Sequence, residues 1–102
     1  FTALIGSGPA YVFYLIESLL DSSKNLHLSE QEKKNLLASM ISGAANLVIN
    51  SEDSPNILRK KVTSPGGVTQ TAIEEFETRG LKEIISKSMI AAEKKSIELG
   101  ED

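Results

Sequence analysis

The sequence predicts an all-α fold, a bundle of about five helices. Apolar residues recur at intervals of three and four through most of the chain, which is the periodicity of a helix. Serine, proline and glycine stand where helices typically begin and end. The alternation of period two that is typical of a β-strand extends no further than Thr2 to Ile5.

The first helix is predicted from Pro9 to about Ser23. One face carries the apolar residues Val12, Leu15, Ile16, Leu19 and Leu20. The other faces carry the aromatic residues Tyr11, Phe13 and Tyr14. A helix that is apolar on all sides must be buried nearly all round, and a chain of 102 residues has little other structure with which to cover it. We therefore expect a second subunit or another domain to complete the burial.

The second helix begins with a capping box, in which Ser29 and Glu32 satisfy each other's backbone N–H groups. Its apolar stripe consists of Leu37, Met40, Ile41, Ala44, Ala45 and Val48. The pattern continues to about Asn50. Small residues at Gly43 to Ala45 remove side-chain bulk, and we expect another helix to approach closely there.

Ser54 and Pro55 predict the start of a short third helix that runs to about Lys61, with the serine hydroxyl as its cap. The residues from Val62 to Gly67 then interrupt the helical pattern with a proline and two glycines. A fourth helix follows, with Thr69, Ala72, Ile73 and Phe76 on one face. Gly80 can end it in a left-handed conformation, and a fifth helix carries Leu81, Ile84, Ile85, Met89 and Ala92.

Composition excludes several kinds of site. The chain has no cysteine and a single histidine, so it has no disulfide, no thiolate metal site and no histidine cluster. A net charge of −3 gives no long-range attraction for nucleic acid. We also expect no membrane span, because no uninterrupted apolar run approaches roughly 20 residues. The sequence opens at Phe1, with neither an initiator methionine nor the basic and apolar pattern of a signal peptide. We expect it to be part of a longer, cytoplasmic protein.

The best candidate for a ligand site is the turn from Ser64 to Thr69, because its two glycines directly precede a helix. The first turn of a helix has unpaired N–H groups and the positive end of the helix dipole, which together attract a carboxylate or phosphate. Ser64 and Thr69 add hydroxyl groups. From the pattern alone, a plain interhelical loop with a threonine cap stays open as the alternative.

Other candidate groups have simpler explanations. Gly6 to Pro9 lacks the full spacing of a dinucleotide-binding loop and is more typical of a hinge or domain boundary. His27 has no evident carboxylate partner, which favours a loop or packing role. The basic run from Arg59 to Lys61 is typical of solvated helix charges. Glu74, Glu75 and Glu77 are predicted to lie in the first two turns of a helix, where the dipole favours acidic residues.

Three blocks together resemble the C-terminal dimerisation domain of pyrroline-5-carboxylate reductase. The blocks run from Gly6 to Phe13, from Gly43 to Ala45 and from Val62 to Thr69, with Gly80 before the last helix. The resemblance extends in order over the whole chain, residues 1–102. It implies that the chain belongs to an enzyme that reduces 1-pyrroline-5-carboxylate to L-proline with NADPH or NADH.

The resemblance also implies how this part of the enzyme contributes. The nucleotide would lie on an N-terminal Rossmann domain that this chain lacks, so the chain alone is expected to be inactive and to hold no cofactor. Two copies would interleave as a homodimer, and in some members of the family five dimers form a decamer. The alternative is a non-catalytic helical oligomerisation module of another dehydrogenase, in which the glycine turn binds nothing.

The same resemblance assigns the substrate-binding residues. The turn that would hold the substrate carboxylate consists of Ser64, Pro65, Gly66, Gly67, Val68 and Thr69. Val62 would pack nearby, and the Thr69 hydroxyl would face the ring nitrogen. No catalytic residue is assigned, because Tyr14 stands where some relatives carry a threonine that is a possible proton donor. We expect no metal.

Overall fold

The computed structural model describes residues 1–101, and this part of the chain is all helical. A π-helical turn at Thr2–Gly6 precedes five α-helices. The helices are α1 (Gly8–Asp21), α2 (Glu30–Asn50), α3 (Pro55–Lys61), α4 (Val68–Thr78) and α5 (Leu81–Glu98). Residues 1–101 contain no β-strand, so the predicted all-α class is confirmed. The short alternating pattern at the start of the chain forms the π-helical turn, in which the Phe1 carbonyl accepts from the Ile5 N–H at 2.8 Å.

Local sequence signals set most helix ends. The Ser29 hydroxyl accepts from the Glu32 N–H at 3.1 Å, and the Glu32 carboxylate accepts from the Ser29 N–H at 3.4 Å, so the predicted capping box is confirmed. Gly80 follows α4 with a φ of 72°, the left-handed conformation predicted for it. Gly100 has a φ of 74° and ends α5, which extends well past the last predicted apolar position, Ala92.

The predicted hydroxyl cap of α3 is wrong in one detail. Ser54 is the N-cap residue and Pro55 occupies the first helical position, as expected, but the Ser54 side chain makes no capping hydrogen bond. Its hydroxyl donates instead to the side-chain oxygen of Asn56. The Ser54 carbonyl still accepts from the Leu58 N–H at 3.0 Å, so the helix starts at the predicted residue.

The chain divides into two compact units, and the boundaries fall at Ser7/Gly8 and at Asp53/Ser54. The first boundary lies inside the segment from Gly6 to Pro9 that the sequence identifies as a hinge or domain boundary. In the α1–α2 unit, residues 8–53, the two helices pack against each other. In the α3–α5 unit, which comprises residues 1–7 and the segment from Ser54 onward, α5 packs against both α4 and the π-helical turn.

The chain buries no apolar side chain among its described residues. Within residues 1–101, only Lys33 and Ser96 are buried, with 6% and 7% of their surfaces exposed. The accessible surface is 8305 Å², whereas a folded monomer of this mass exposes about 5,600 Å². One chain therefore leaves uncovered a large apolar surface that a soluble monomer would bury.

The α1 region shows this most clearly. Phe13 and Tyr14 are 68% and 71% exposed, and Ile16, Leu19 and Leu20 are half-buried. The helical stretch Thr2–Asp21, with a mean hydropathy of 1.4, has the length and apolar composition of a membrane span. A core helix of a soluble protein has the same properties, so composition alone does not support the expectation that the chain has no membrane span. The expectation that one chain cannot cover its first helix agrees with the exposure of α1 in the structure.

Candidate functional site

The turn from Ser64 to Gly67 is shaped by two glycines with different roles. Gly66 has a φ of 74°, a left-handed conformation that residues with a Cβ adopt at a cost. Gly67 donates its N–H to the Ser64 carbonyl at 3.1 Å. A Cβ on Gly67 would lie 3.3 Å from that same carbonyl oxygen, closer than ordinary contact. The turn is therefore tight, and both glycines fit positions that other residues would fill with difficulty.

Gly67 is also the N-cap of α4, and no side chain caps this helix. The Gly67 carbonyl accepts from the Thr71 N–H at 3.2 Å. Within residues 1–101, the N–H groups of Val68, Thr69 and Gln70 have no acceptor. Unpaired N–H groups at the positive end of a helix dipole form a site for an anion. The threonine cap that the sequence left open as an alternative does not form.

Four hydroxyl groups flank the turn and divide into two kinds. Those of Thr63 and Thr71 are used by the protein itself, donating to the carbonyls of Arg59 at 2.6 Å and of Gly67 at 3.1 Å. Those of Ser64 and Thr69 belong to exposed residues and make no hydrogen bond within the described chain. The two hydroxyls that the sequence predicts as ligand donors are thus the two that remain available to bind a ligand.

One polar residue at the turn was not found by sequence reasoning. Gln70 lies in the first turn of α4, and its side-chain oxygen accepts from the Gly66 N–H. The only sequence signal is a side chain of suitable length four residues after the glycine. The flanking apolar residues Val62 and Val68 are 69% and 90% exposed, so they leave the turn open to solvent.

Charged residues near the turn form ion pairs with partly exposed side chains. Arg59, in α3, lies 3.6 Å from the Glu77 carboxylate in α4, and Lys82, in α5, lies 3.8 Å from it. The prediction that these acidic residues occupy the first two turns of their helix holds for Glu74 alone. Because α4 begins at Val68, Glu74 is its seventh residue, whereas Glu75 and Glu77 lie further along the helix. Glu75 instead pairs with Arg79 at 2.8 Å. Glu75 and Glu77 thus take part in ion pairs rather than lying at the start of the helix.

The remaining predicted residues lie elsewhere. Tyr14 lies on α1 and His27 lies in the exposed loop before α2, both in the α1–α2 unit. Among residues 1–101, no group of three or more potential ligand side chains could hold a metal ion. Residues 1–101 contain no strand and therefore no Rossmann fold.

Comparison with known proteins shows which family combines this turn with these helices. Residues 1–99 match the family profile described as pyrroline-5-carboxylate reductase dimerisation. The chain belongs to this family. The resemblance on the three sequence blocks is therefore confirmed.

Relatives named pyrroline-5-carboxylate reductase share a third or more of the residues. The protein from Pseudomonas aeruginosa is 39% identical over 100 residues, which are 98% of this chain and 37% of that protein. Pyrroline-5-carboxylate reductase 1 from Bacillus subtilis is 35% identical over 102 residues, which are 100% of this chain and 34% of that protein. The chain thus spans about a third of the length of these relatives.

Solved structures of the family share the fold. A pyrroline-5-carboxylate reductase from Coxiella burnetii superposes with a TM-score of 0.89 and 39% identity, over 96% of this chain and 36% of that one. The Plasmodium falciparum pyrroline carboxylate reductase with NADP bound gives a TM-score of 0.87 and 36% identity, over 93% of this chain and 36% of that one. The helical arrangement of this chain is therefore that of the family's dimerisation domain.

Proposed function

We propose that this chain is the dimerisation and substrate-binding domain of an enzyme that reduces 1-pyrroline-5-carboxylate to L-proline with NADPH or NADH. The observation that carries the proposal is the uncapped start of α4, where unpaired N–H groups lie next to the available hydroxyls of Ser64 and Thr69. Family membership supplies the substrate class, because the relatives are named for this reductase.

The substrate carboxylate would bind at the turn. The N–H groups of Val68 and Thr69 and the Ser64 hydroxyl would donate to its oxygens, and the helix dipole favours its negative charge. Pro65, Gly66 and Gly67 shape the turn so that the ligand can approach the backbone. The exposed side chain of Val62 would pack near the ring.

This chain would contribute orientation to the reaction. When bound, the nicotinamide nucleotide would supply the hydride for the carbon of the C=N bond, and the nitrogen would gain a proton. The Thr69 hydroxyl would face that nitrogen, while the carboxylate contacts fix the position of the ring. Correct positioning of two reactants is a large part of many enzymatic accelerations. The proton donor is unassigned, because Tyr14 stands where some relatives carry a threonine that is a possible donor.

The nucleotide would be bound mainly by residues outside this chain, in a Rossmann domain on its N-terminal side. One relative, from Plasmodium falciparum, has been solved with NADP bound. We accordingly propose that the chain alone is inactive. The choice between NADPH and NADH then depends on the nucleotide-binding domain.

We further propose that two copies of the chain form an interleaved homodimer in the cytoplasm. The exposed apolar surface supports this, since one chain buries none of its apolar side chains among the described residues. The family name supports it as well. Assembly of five dimers into a decamer would appear in the mass of the complete protein by light scattering.

The test is NAD(P)H oxidation by the complete protein in the presence of pyrroline-5-carboxylate. The Ser64→Ala, Thr69→Val double variant should lose most of the kcat/KM while keeping its fold and its nucleotide affinity. The matched control is Thr71→Val, whose hydroxyl is already used by the Gly67 carbonyl. A folded, nucleotide-binding parent that shows no turnover would reject this substrate and favour the oligomerisation module of another dehydrogenase.

A further inference from the structure

We infer that Gln70 is a positioning residue for the substrate carboxylate, because its side chain holds the Gly66 N–H and so fixes the turn before the ligand arrives. The inference rests on the proposed function. It assigns a role within the carboxylate site to a residue that would not itself touch the substrate.

The hydrogen bonds of the turn divide its N–H groups into two sets. The Gly66 N–H donates to the Gln70 side-chain oxygen, and the Gly67 N–H donates to the Ser64 carbonyl at 3.1 Å. The next N–H groups, those of Val68 and Thr69, have no acceptor among the described residues. Gln70 thereby determines which N–H groups remain for an anion.

The backbone at this point needs such support. Gly66 and Gly67 follow each other, and glycine loses more conformational freedom on ordering than any other residue. Gly66 must also keep a φ of 74° while Gly67 keeps an extended ψ of −177°. Without an acceptor for the Gly66 N–H, the two glycines would lose their conformational freedom only when the substrate binds. That loss of entropy would weaken substrate binding.

The hydrogen bond between Gln70 and Gly66 is local, so its loss should affect substrate binding more than the stability of the fold. Gln70 and Gly66 are four residues apart, and Gln70 is half-buried. Loss of the contact removes no interhelical contact, and a local change that binding energy must offset affects ground and transition states alike. We therefore expect the KM for pyrroline-5-carboxylate to change and kcat to stay nearly constant.

The experiment compares Gln70→Met with Gln31→Met in the complete protein. Methionine keeps the length of the side chain and removes the acceptor. Gln31 is a matched control, since its side chain donates to Asn35 at 3.1 Å on the exposed surface of α2. Gln70→Met should raise the KM for pyrroline-5-carboxylate by about three- to ten-fold, change kcat by less than about two-fold, and leave the KM for NAD(P)H unchanged. Gln31→Met should change none of the three.

A second variant tests the acceptor itself. Gln70→Glu keeps an oxygen in reach of the Gly66 N–H but adds a negative charge near the bound carboxylate. The KM of this variant for pyrroline-5-carboxylate should therefore be raised at low ionic strength, and it should return toward the parent value as salt screens the charge. The KM of Gln70→Met should stay raised at every salt concentration.

Two results would overturn the inference. If Gln70→Met had the same KM as Gln31→Met, the hydrogen bond would have no role in binding. If it lowered kcat, Tm and both KM values together, Gln70 would serve the fold alone. Failure of the unsubstituted protein to reduce pyrroline-5-carboxylate is a separate outcome, which would reject the proposed function on which the inference rests.

Discussion

The two compact units differ in what they leave unsatisfied. In the α1–α2 unit the unsatisfied surface is apolar, with Phe13, Leu47 and Ile49 between 62% and 76% exposed. The α3–α5 unit also exposes apolar residues, and in addition it carries unpaired backbone donors at the start of α4, beside the exposed residues Ser64 and Thr69. An exposed apolar surface is typical of a contact with another protein, whereas aligned N–H groups at a helix start favour a small anion. Under the proposed function, the α3–α5 unit would hold the ligand, and the apolar surface of the α1–α2 unit would serve assembly.

The largest predicted effect is on the association of the protein through the apolar surface of the α1–α2 unit. Phe13, on α1, lines a groove of about 420 Å³ with residues of α1 and α2. Phe13→Asp would place a charge on this apolar surface and should weaken association of the complete protein about 100-fold, or about 2.7 kcal/mol. Sedimentation over a range of concentrations measures it. Asn25→Asp adds the same charge in the loop before α2 and is the control, and an equal effect there would contradict the assignment.

The next effect concerns the ligand side. Thr69→Val in the complete protein should lower kcat/KM by about ten-fold, equivalent to about 1.4 kcal/mol, because the available hydroxyl at the start of α4 is lost. Steady-state kinetics with pyrroline-5-carboxylate provides the measurement. The mass of the assembly should not change. Unaltered kinetics would remove Thr69 from the site.

The third prediction concerns the backbone of the turn that precedes α4. Gly66→Ala should destabilise the turn by about 1 kcal/mol, because alanine resists the left-handed conformation found there. Urea unfolding gives the free energy change. Gly67→Ala provides a comparison, since its φ of −91° is open to alanine and only the 3.3 Å approach to the Ser64 carbonyl opposes it. Equal tolerance of both changes would show that the Gly66 backbone is not held as described.

The smallest effect tests the one buried charge in the α1–α2 unit. Lys33 is 6% exposed, and its ammonium lies 3.5 Å from Glu30, whose side chain is 79% exposed. Lys33→Met removes a desolvated charge and leaves Glu30 in water, so stability should stay the same or rise by less than about 1 kcal/mol. Thermal unfolding measures the change against Lys34→Met at the exposed neighbouring position. A marked loss of stability would mean that the ion pair contributes more than its long distance indicates.

Local signals in the sequence predict the helices and the position of the turn. The capping box at Ser29 and the left-handed Gly80 depend on residues close in the chain, and the structure shows both. The role of Gln70 and the partners of Glu77 depend on which side chains the fold brings together, and no periodicity contains that information. The substrate assignment came from the resemblance, because an uncapped helix start alone does not distinguish one anion from another.

Residues 1–101 bury no apolar side chain, and this has a thermodynamic consequence. If the second copy supplies the missing cover, folding and association become one equilibrium, and the chain has no separate stability as a monomer. Its melting temperature should then rise with protein concentration, and each tenfold dilution should lower the stability of a dimer by about 1.4 kcal/mol. The folded fraction would thereby depend directly on the protein concentration, and a newly made chain would complete its folding only together with a second copy.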